Sequence, residues 1–170
     1  MQIKTTCGEA LARKYPEQIA IAIARDPQGK CNPITLGWVM PTSSQPPMLA
    51  ISVGLTRYSI EAIRHAGSFV ISFPSAAMAD DALFYGTKSG RDMDKIAACG
   101  TKTQEAAAID CLLFADAVAN FECMLDSELL TGDHVIFAGK VIAAHQNEDA
   151  SIRRLYTIDS NYGMSGCVPA

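Results

Sequence analysis

The sequence predicts an α+β fold built on an antiparallel sheet or barrel. Three observations carry this. About six apolar stretches of strand length are separated by short helical stretches that do not alternate with them strictly. Compact turns, Asp26-Pro27-Gln28-Gly29 and Leu130-Thr131-Gly132-Asp133-His134, follow strands directly, so neighbouring strands pair as hairpins. The G-x-G-x-x-G turn of a doubly wound parallel sheet is absent.

Ile19–Arg25 reads as a strand with apolar residues on both faces, and therefore as well buried. Proline and glycine in the turn after it set φ for reversal, and an extended stretch over Pro33–Met40 returns as the hairpin partner. Pro46-Pro47 interrupts regular pairing, which places the start of the next strand, Met48–Val53, at a bulge or sheet edge. Ser59–His65 predicts a helix with Ser59 as cap, Ile60 and Ile63 on one face, and Gly67 as the stop. Phe69–Phe73 is another strand, closed by Pro74. Helices follow over Ala76–Tyr85, ending at Gly86, and over Met93–Ala98, capped by Asp92 and ending near Gly100. Two long strands, Ala117–Glu128 and Val135–His145, complete the pattern, and the tail after Asn147 shows no clear period. No repeat or low-complexity linker divides the chain, so residues 1–170 are expected to form a single domain.

The chain is 49% hydrophobic, which favours a packed globule over disorder. Its net charge of −4 gives nucleic-acid binding no electrostatic support, so an anion must be held by a local basic cluster. The six cysteines form no C-x-x-C pair and no zinc spacing. Neither a signal-peptide pattern nor an apolar run of about 18 residues is present, so no membrane contact, reduced thiols and a cytoplasmic location are expected.

Four segments could carry chemistry. In Ser89-Gly90-Arg91-Asp92-Met93-Asp94-Lys95, a glycine permits close backbone approach and two cations stand beside a helix start, an arrangement that grips a phosphate. The same residues also suit a surface turn whose charges pair with each other. Ser52-Val53-Gly54-Leu55-Thr56-Arg57-Tyr58-Ser59 runs from a strand into a helix start and offers an anion nest, although capping alone explains Thr56 and Ser59. Asn32-Pro33-Ile34-Thr35-Leu36-Gly37-Trp38-Val39-Met40 is either core and turn, or backbone exposed by Gly37 to a flat ring. His134, after Thr131-Gly132-Asp133, is either a turn residue or a pocket-mouth imidazole. The G-x-S-x-G, Walker A and H-E-x-x-H patterns are all absent.

Taken in order, Asn32–Trp38, Pro41–Gly54, Thr56–Ile63, Ser89–Lys95 and Gly132–His134 with Ile136–Val141 resemble the flavin reductase-like, FMN-binding split-barrel family. That family includes flavoredoxin and the reductase components of two-component monooxygenases. The resemblance implies an antiparallel split barrel with short flanking helices, FMN as cofactor and NAD(P)H as reductant. It places the isoalloxazine against Asn32, Thr35, Trp38 and Met40. Ser52, Thr56, Arg57 and Ser59, followed by Ser89, Arg91 and Lys95, would surround the ribityl phosphate. His134 would stand beside the flavin as the catalytic candidate, positioning a nicotinamide or redox partner, and Tyr162 would cover the ring. A homodimer is implied, with a small molecule or a partner protein as electron acceptor. Ile96 departs from the larger aromatic residue that often follows the motif. The alternatives from other classes are a protein-to-protein electron carrier with little NAD(P)H activity, and a flavin-binding or assembly module without turnover.

Overall fold

The computed structural model describes residues 1–167. A short helix α1 (Cys7–Leu11) and strand β1 (Glu17–Gln18) lead into β2 (Ala20–Arg25), β3 (Cys31–Leu36), β4 (Val39–Ser44) and β5 (Pro47–Gly54). Helix α2 (Ser59–Ala66) is followed by β6 (Ser68–Phe73), a 3₁₀ turn at Ala76–Met78, α3 (Ala79–Thr87) and α4 (Lys95–Cys99). Then come β7 (Thr103–Glu105), β8 (Leu112–Phe114), the long hairpin β9 (Ala119–Thr131) and β10 (His134–Gln146), β11 (Arg154–Thr157) and β12 (Met164–Cys167). Among the described residues no helix is long and apolar enough to cross a membrane.

The main sheet has seven strands in the order β3-β2-β6-β9-β10-β5-β4, and every neighbouring pair is antiparallel. Strand β2 explains the architecture. Its alternate residues Ala20, Ala22 and Ala24 enter one apolar cluster, with Ile60 and Ile63 of α2, Phe69 and Phe137. Ile19, Ile21 and Ile23 enter a second, with Met78, Ala82 and Tyr85 beside α3, and Phe114 and Leu155. The strand is buried on both faces, as its sequence predicts. Alanines on one side admit α2, and larger isoleucines on the other fill the space under α3. Tyr85 and Phe114 stack in that second core, with ring centroids 5.6 Å apart.

Local rules account for most element ends and for the departures from prediction. Gly67 stops α2 in the left-handed region at φ 62°, its amide bonded to Ile63 O at 2.9 Å. Ser59 is not the cap of that helix. Tyr58 occupies the position without a side-chain cap bond, and Ser59 is the first helical residue. Helix α4 begins two residues later than predicted, because Asp94 and not Asp92 caps it, accepting from Ala97 N at 3.1 Å. Gly86 lies inside α3 and does not end it. The stretch predicted as one strand over Pro33–Met40 breaks at Gly37-Trp38 into β3 and β4. Pro47 is the first residue of β5, which is internal, and β4 forms the sheet edge. The tail carries two short strands, of which β11 pairs with β1.

One loop is held by a buried carboxylate. Glu122 on β9 is fully inaccessible and accepts the amides of Ala107, Ala108 and Ile109 at 2.8, 2.7 and 3.1 Å, while His145 Nε2 approaches at 2.6 Å. Burial pushes this carboxyl up, but the amides and the imidazole outweigh burial and hold it below the ordinary range. A lowered folded value means the stabilisation is present above the unfolded value and is lost as pH falls through the folded one. Glu122→Gln is expected to lower stability at neutral pH by about 1.5–3 kcal/mol. Urea denaturation should show the gap to wild type narrowing on acidification below about pH 4.

Candidate functional site

Three adjoining hollows of about 170, 440 and 280 Å³ form a continuous cleft along β3. Arg57 borders all three, Gly86 and Thr87 join the first to the second, and Leu36, Gly37 and Tyr162 join the second to the third.

The first hollow is the polar end. Helix α3 ends at Thr87, whose hydroxyl donates to Leu83 O at 2.9 Å, and the chain turns through Lys88 to Arg91. Ser89 Oγ accepts the Arg91 amide at 3.2 Å, which rounds the loop. Gly90 is forced by the approach of β3, since a Cβ there would lie 2.0 Å from Asn32 Oδ1 and 3.3 Å from a Tyr58 ring carbon. Arg91 lies 5.1 Å from the Tyr58 ring centroid, and Tyr58 is itself fixed by Gln28 and Asp26 at 2.6 and 3.3 Å. Burial, reinforced by Asp26, raises the Tyr58 phenol above its ordinary value and keeps it a donor. Thr56, Arg57 and Lys88 complete a basic, hydroxyl-rich wall.

Two buried polar atoms along the cleft have no partner among the described residues, one at this end and one toward the mouth. Asn32 donates its Nδ2 to Ser59 Oγ at 2.9 Å, which leaves Oδ1 unpaired, and Thr35 Oγ1 is likewise unpaired. Buried polar atoms are normally satisfied, so both are poised for something that enters the cleft. Lys95 lines this end but is not a free cation. It is 3% exposed, and its Nζ donates to the backbone carbonyls of Pro33, Tyr85 and Lys88. Burial lowers its ammonium to about 8.

The third hollow is the mouth. Trp38 and His134 face each other with ring centroids 4.7 Å apart, tilted by 36°. His134 Nδ1 pairs with Asp133 Oδ1 at 2.7 Å, which holds the Asp133 carboxyl below its ordinary value. In the neutral ring this fixes the proton on Nδ1 and leaves Nε2 as an acceptor. Ser52 borders the mouth, and Met40 lines an adjoining apolar hollow of about 160 Å³ that shares Gly37, Trp38 and Ser52 with it. Tyr162 borders the mouth from the tail, and it is the one non-glycine residue with positive φ, 63°, among those described. Asp159 accepts the amides of Asn161 and Gly163 at 2.8 and 3.0 Å and so holds that turn. Backbone strain of this kind costs about 1–3 kcal/mol and clusters at functional sites.

The structure therefore brings Asn32, Thr56, Arg57, Ser59, Ser89, Arg91 and Lys95 to one end of the cleft, and Thr35, Trp38, Ser52, His134 and Tyr162 to the other. Met40 lines only the adjoining apolar hollow. Residues that sequence reasoning missed are Tyr58, Thr87, Lys88, Leu36 and Glu17, the last with its carboxylate against Gly37. The run Thr87-Lys88 directly before Ser89 was a legible signal of a longer basic loop. Among the described residues no cluster of His, Cys, Asp or Glu is arranged to hold a metal ion.

A family model described as "Flavin reductase like domain" matches residues 12–165. The chain belongs to this family. It is 31% identical over 113 residues to an uncharacterized protein of Archaeoglobus fulgidus, covering 66% of this chain and 64% of that one. It is 29% identical over 120 residues to the NADH-dependent FMN reductase AsuE2 of Streptomyces nodosus subsp. asukaensis, covering 69% and 62%. The chain spans 54–69% of the length of three such archaeal relatives. The crystal structure of flavoredoxin from Methanosarcina acetivorans superposes with a TM-score of 0.86 over 100% of this chain and 93% of that one, at 23% identity. The fold is thus the split barrel of flavin reductase-like proteins.

Gly90→Ala should overlap Asn32 and push it off Ser59. Overpacking of this kind is expected to cost about 1–3 kcal/mol, read in a thermal melt at about 2–4 °C per kcal/mol. An unchanged melting temperature would mean the loop moves freely away from β3.

Proposed function

We propose that this protein binds FMN and acts as an oxidoreductase that passes electrons from NAD(P)H to an acceptor. The observation that carries the reading is the polarity of the cleft. One end presents arginines, hydroxyls and backbone of a close-packed loop, and the other presents an indole, an imidazole and half-buried glycine backbone. A molecule with a phosphate at one end and a flat heteroaromatic ring at the other matches both.

The residues fit the cofactor. Arg91 and Arg57 supply charge-assisted donors for a phosphate, with Ser89 and Thr56 beside them. The unpaired Asn32 Oδ1 and Thr35 Oγ1 offer hydrogen bonds to the polyhydroxy chain or the polar ring edge. When bound, the flavin supplies the two-electron redox chemistry, and the protein supplies orientation and electrostatics. Gly37 and Trp38 give the ring a flat wall. His134, oriented by Asp133, positions a nicotinamide through its Nε2 and transfers no proton.

The mouth also favours a second reading. Trp38 is about half exposed there, and so is Met40 in the adjoining apolar hollow. An exposed aromatic and a thioether suit docking of a redox protein, which is the electron-carrier role. A homodimer accords with the apolar residues Leu55, Leu129 and Leu130, exposed around the end of the β9–β10 hairpin. Sedimentation at micromolar concentration is expected to give about twice the chain mass of 18.2 kDa.

The test is spectroscopic. Protein reconstituted with FMN should retain about one flavin per chain after desalting. Failure to retain it removes the reading. Arg91→Ala should weaken FMN by about 10- to 150-fold, the loss of one charge-assisted hydrogen bond, and leave riboflavin affinity unchanged. His134→Ala should slow anaerobic reduction by NAD(P)H by about 5- to 150-fold with FMN affinity intact. A wild type that neither nicotinamide reduces would assign the carrier role instead.

A further inference from the structure

We infer that Lys95 is the positioning residue of the phosphate end, tying three separate elements into one rigid cradle and acting on the phosphate through the Ser89–Arg91 loop, without touching it. The inference rests on the FMN reading above. It departs from the expectation, drawn from family resemblance, that Lys95 is itself a phosphate ligand.

The geometry is specific. An ammonium has three N–H donors and no acceptor. Those of Lys95 meet three carbonyls: Pro33 O, Tyr85 O at 3.3 Å and Lys88 O at 3.3 Å. No donor is left over for a ligand. Pro33 lies on β3 between Asn32 and Thr35, whose side chains each carry an unpaired polar atom bordering the cleft. Tyr85 lies in the last turn of α3, where carbonyls lack helical partners and the helix end carries partial negative charge. Lys88 opens the loop that carries Ser89, Gly90 and Arg91. The three carbonyls belong to the three walls of the polar hollow, and one buried cation holds all of them.

The residue is 3% exposed, and among the described residues no carboxylate pairs with it. A methionine would fill the same space, so the retained charge has a use that packing does not explain. Carbonyl dipoles that converge on a cation repel one another without it, and the loop would then part from β3. Arg91 and Ser89 would lose their placement while remaining chemically intact.

Titration of the ammonium offers an experiment that needs no variant. Burial lowers Lys95 to about 8, with Arg57, ahead of α2, acting in the same direction and Cys99, one turn along α4, acting against it. The other groups facing it are Lys88 and Arg91 from the loop, Asp94 beside it, and Asp26, Lys30 and Cys31 across a crevice from the β2–β3 turn. The Tyr85 phenol points away to Thr101 and is raised by burial. Loss of the Lys95 charge removes a donor and should loosen the loop as pH rises.

Dissociation constants for FMN and riboflavin should be measured by fluorescence quenching, on wild type, Arg91→Ala, Lys95→Met and the double variant. Lys95→Met is expected to weaken FMN about tenfold or more and to spare riboflavin. The double variant should bind FMN no worse than the weaker single, because both changes disable one loop. Wild-type FMN affinity should fall as pH rises through about 8, by at most about tenfold per pH unit for one proton, while riboflavin affinity stays flat. Lys95→Arg, whose charge does not titrate in this range, should abolish that fall.

Additive losses in the double variant would make Lys95 a direct ligand and overturn the inference. Equal loss of riboflavin, or a wild-type profile that is flat in pH, would overturn it as well. A wild type that takes up no FMN overturns the FMN reading and this inference together. A wild type that binds FMN with additive losses overturns this inference alone.

Discussion

Strand β2 has to bury both faces at once, and the rest of the molecule is arranged around that requirement. Its alternation of alanine and isoleucine divides the interior into two cores, one inside the sheet under α2 and one outside it under α3. Each fully buried isoleucine contributes about 1.5–3 kcal/mol relative to exposure. Leaving either face uncovered would therefore forfeit a large part of a stability that totals only about 5–15 kcal/mol. Helix α3 is thus fixed by packing, and its C-terminal turn is delivered to the edge of β3. The polar end of the cleft is the seam where those two meet.

Under the FMN reading, the cleft is how an acidic chain would assemble a site for an anion. With a net charge of −4, the overall field repels phosphate, and only short-range placement can reverse that. Arg57, Lys88 and Arg91 converge on one hollow that no carboxylate lines. The cations do different work. Arg91 rests near an aromatic face and is exposed, whereas Lys95 is buried and spends all three of its donors on backbone. Counting positive residues in the motif would treat them as equivalent. Their burial separates them.

Much of this was legible in the sequence, and the part that was not has physical causes. The apolar Ile19–Arg25 run gave both its structure and its burial, and Gly67 marked a helix end, because each depends on adjacent residues. Asp92 and Asp94 satisfy the same capping rule, and local propensity does not choose between them. The choice falls to Asp94 through its bond to Ala97. The strands of the tail are four residues long, too short to show a period, and β11 finds its partner β1 far back in the chain. The role of Lys95 was the least legible of all. One of its partners is 62 positions away, and all three are carbonyls, which every residue possesses. A side chain that binds backbone leaves no complementary residue in the sequence to look for.

The two ends of the cleft differ in rigidity, and the difference bears on function under the FMN reading. The phosphate end is close-packed, with Asn32, Ser59 and Lys95 buried and Gly90 against Asn32. The mouth is formed by half-exposed Trp38, a histidine at a hairpin turn and a tyrosine held by a turn in the tail. Binding energy gathered far from the reacting ring can hold a cofactor tightly without constraining what approaches the ring. The mouth is then free to diverge while the tether stays fixed. That arrangement suits a fold whose members include both an FMN reductase and a flavoredoxin by name. Under that reading the residues that would set the acceptor of this protein are Trp38, His134 and Tyr162, which lie on three different segments outside both cores.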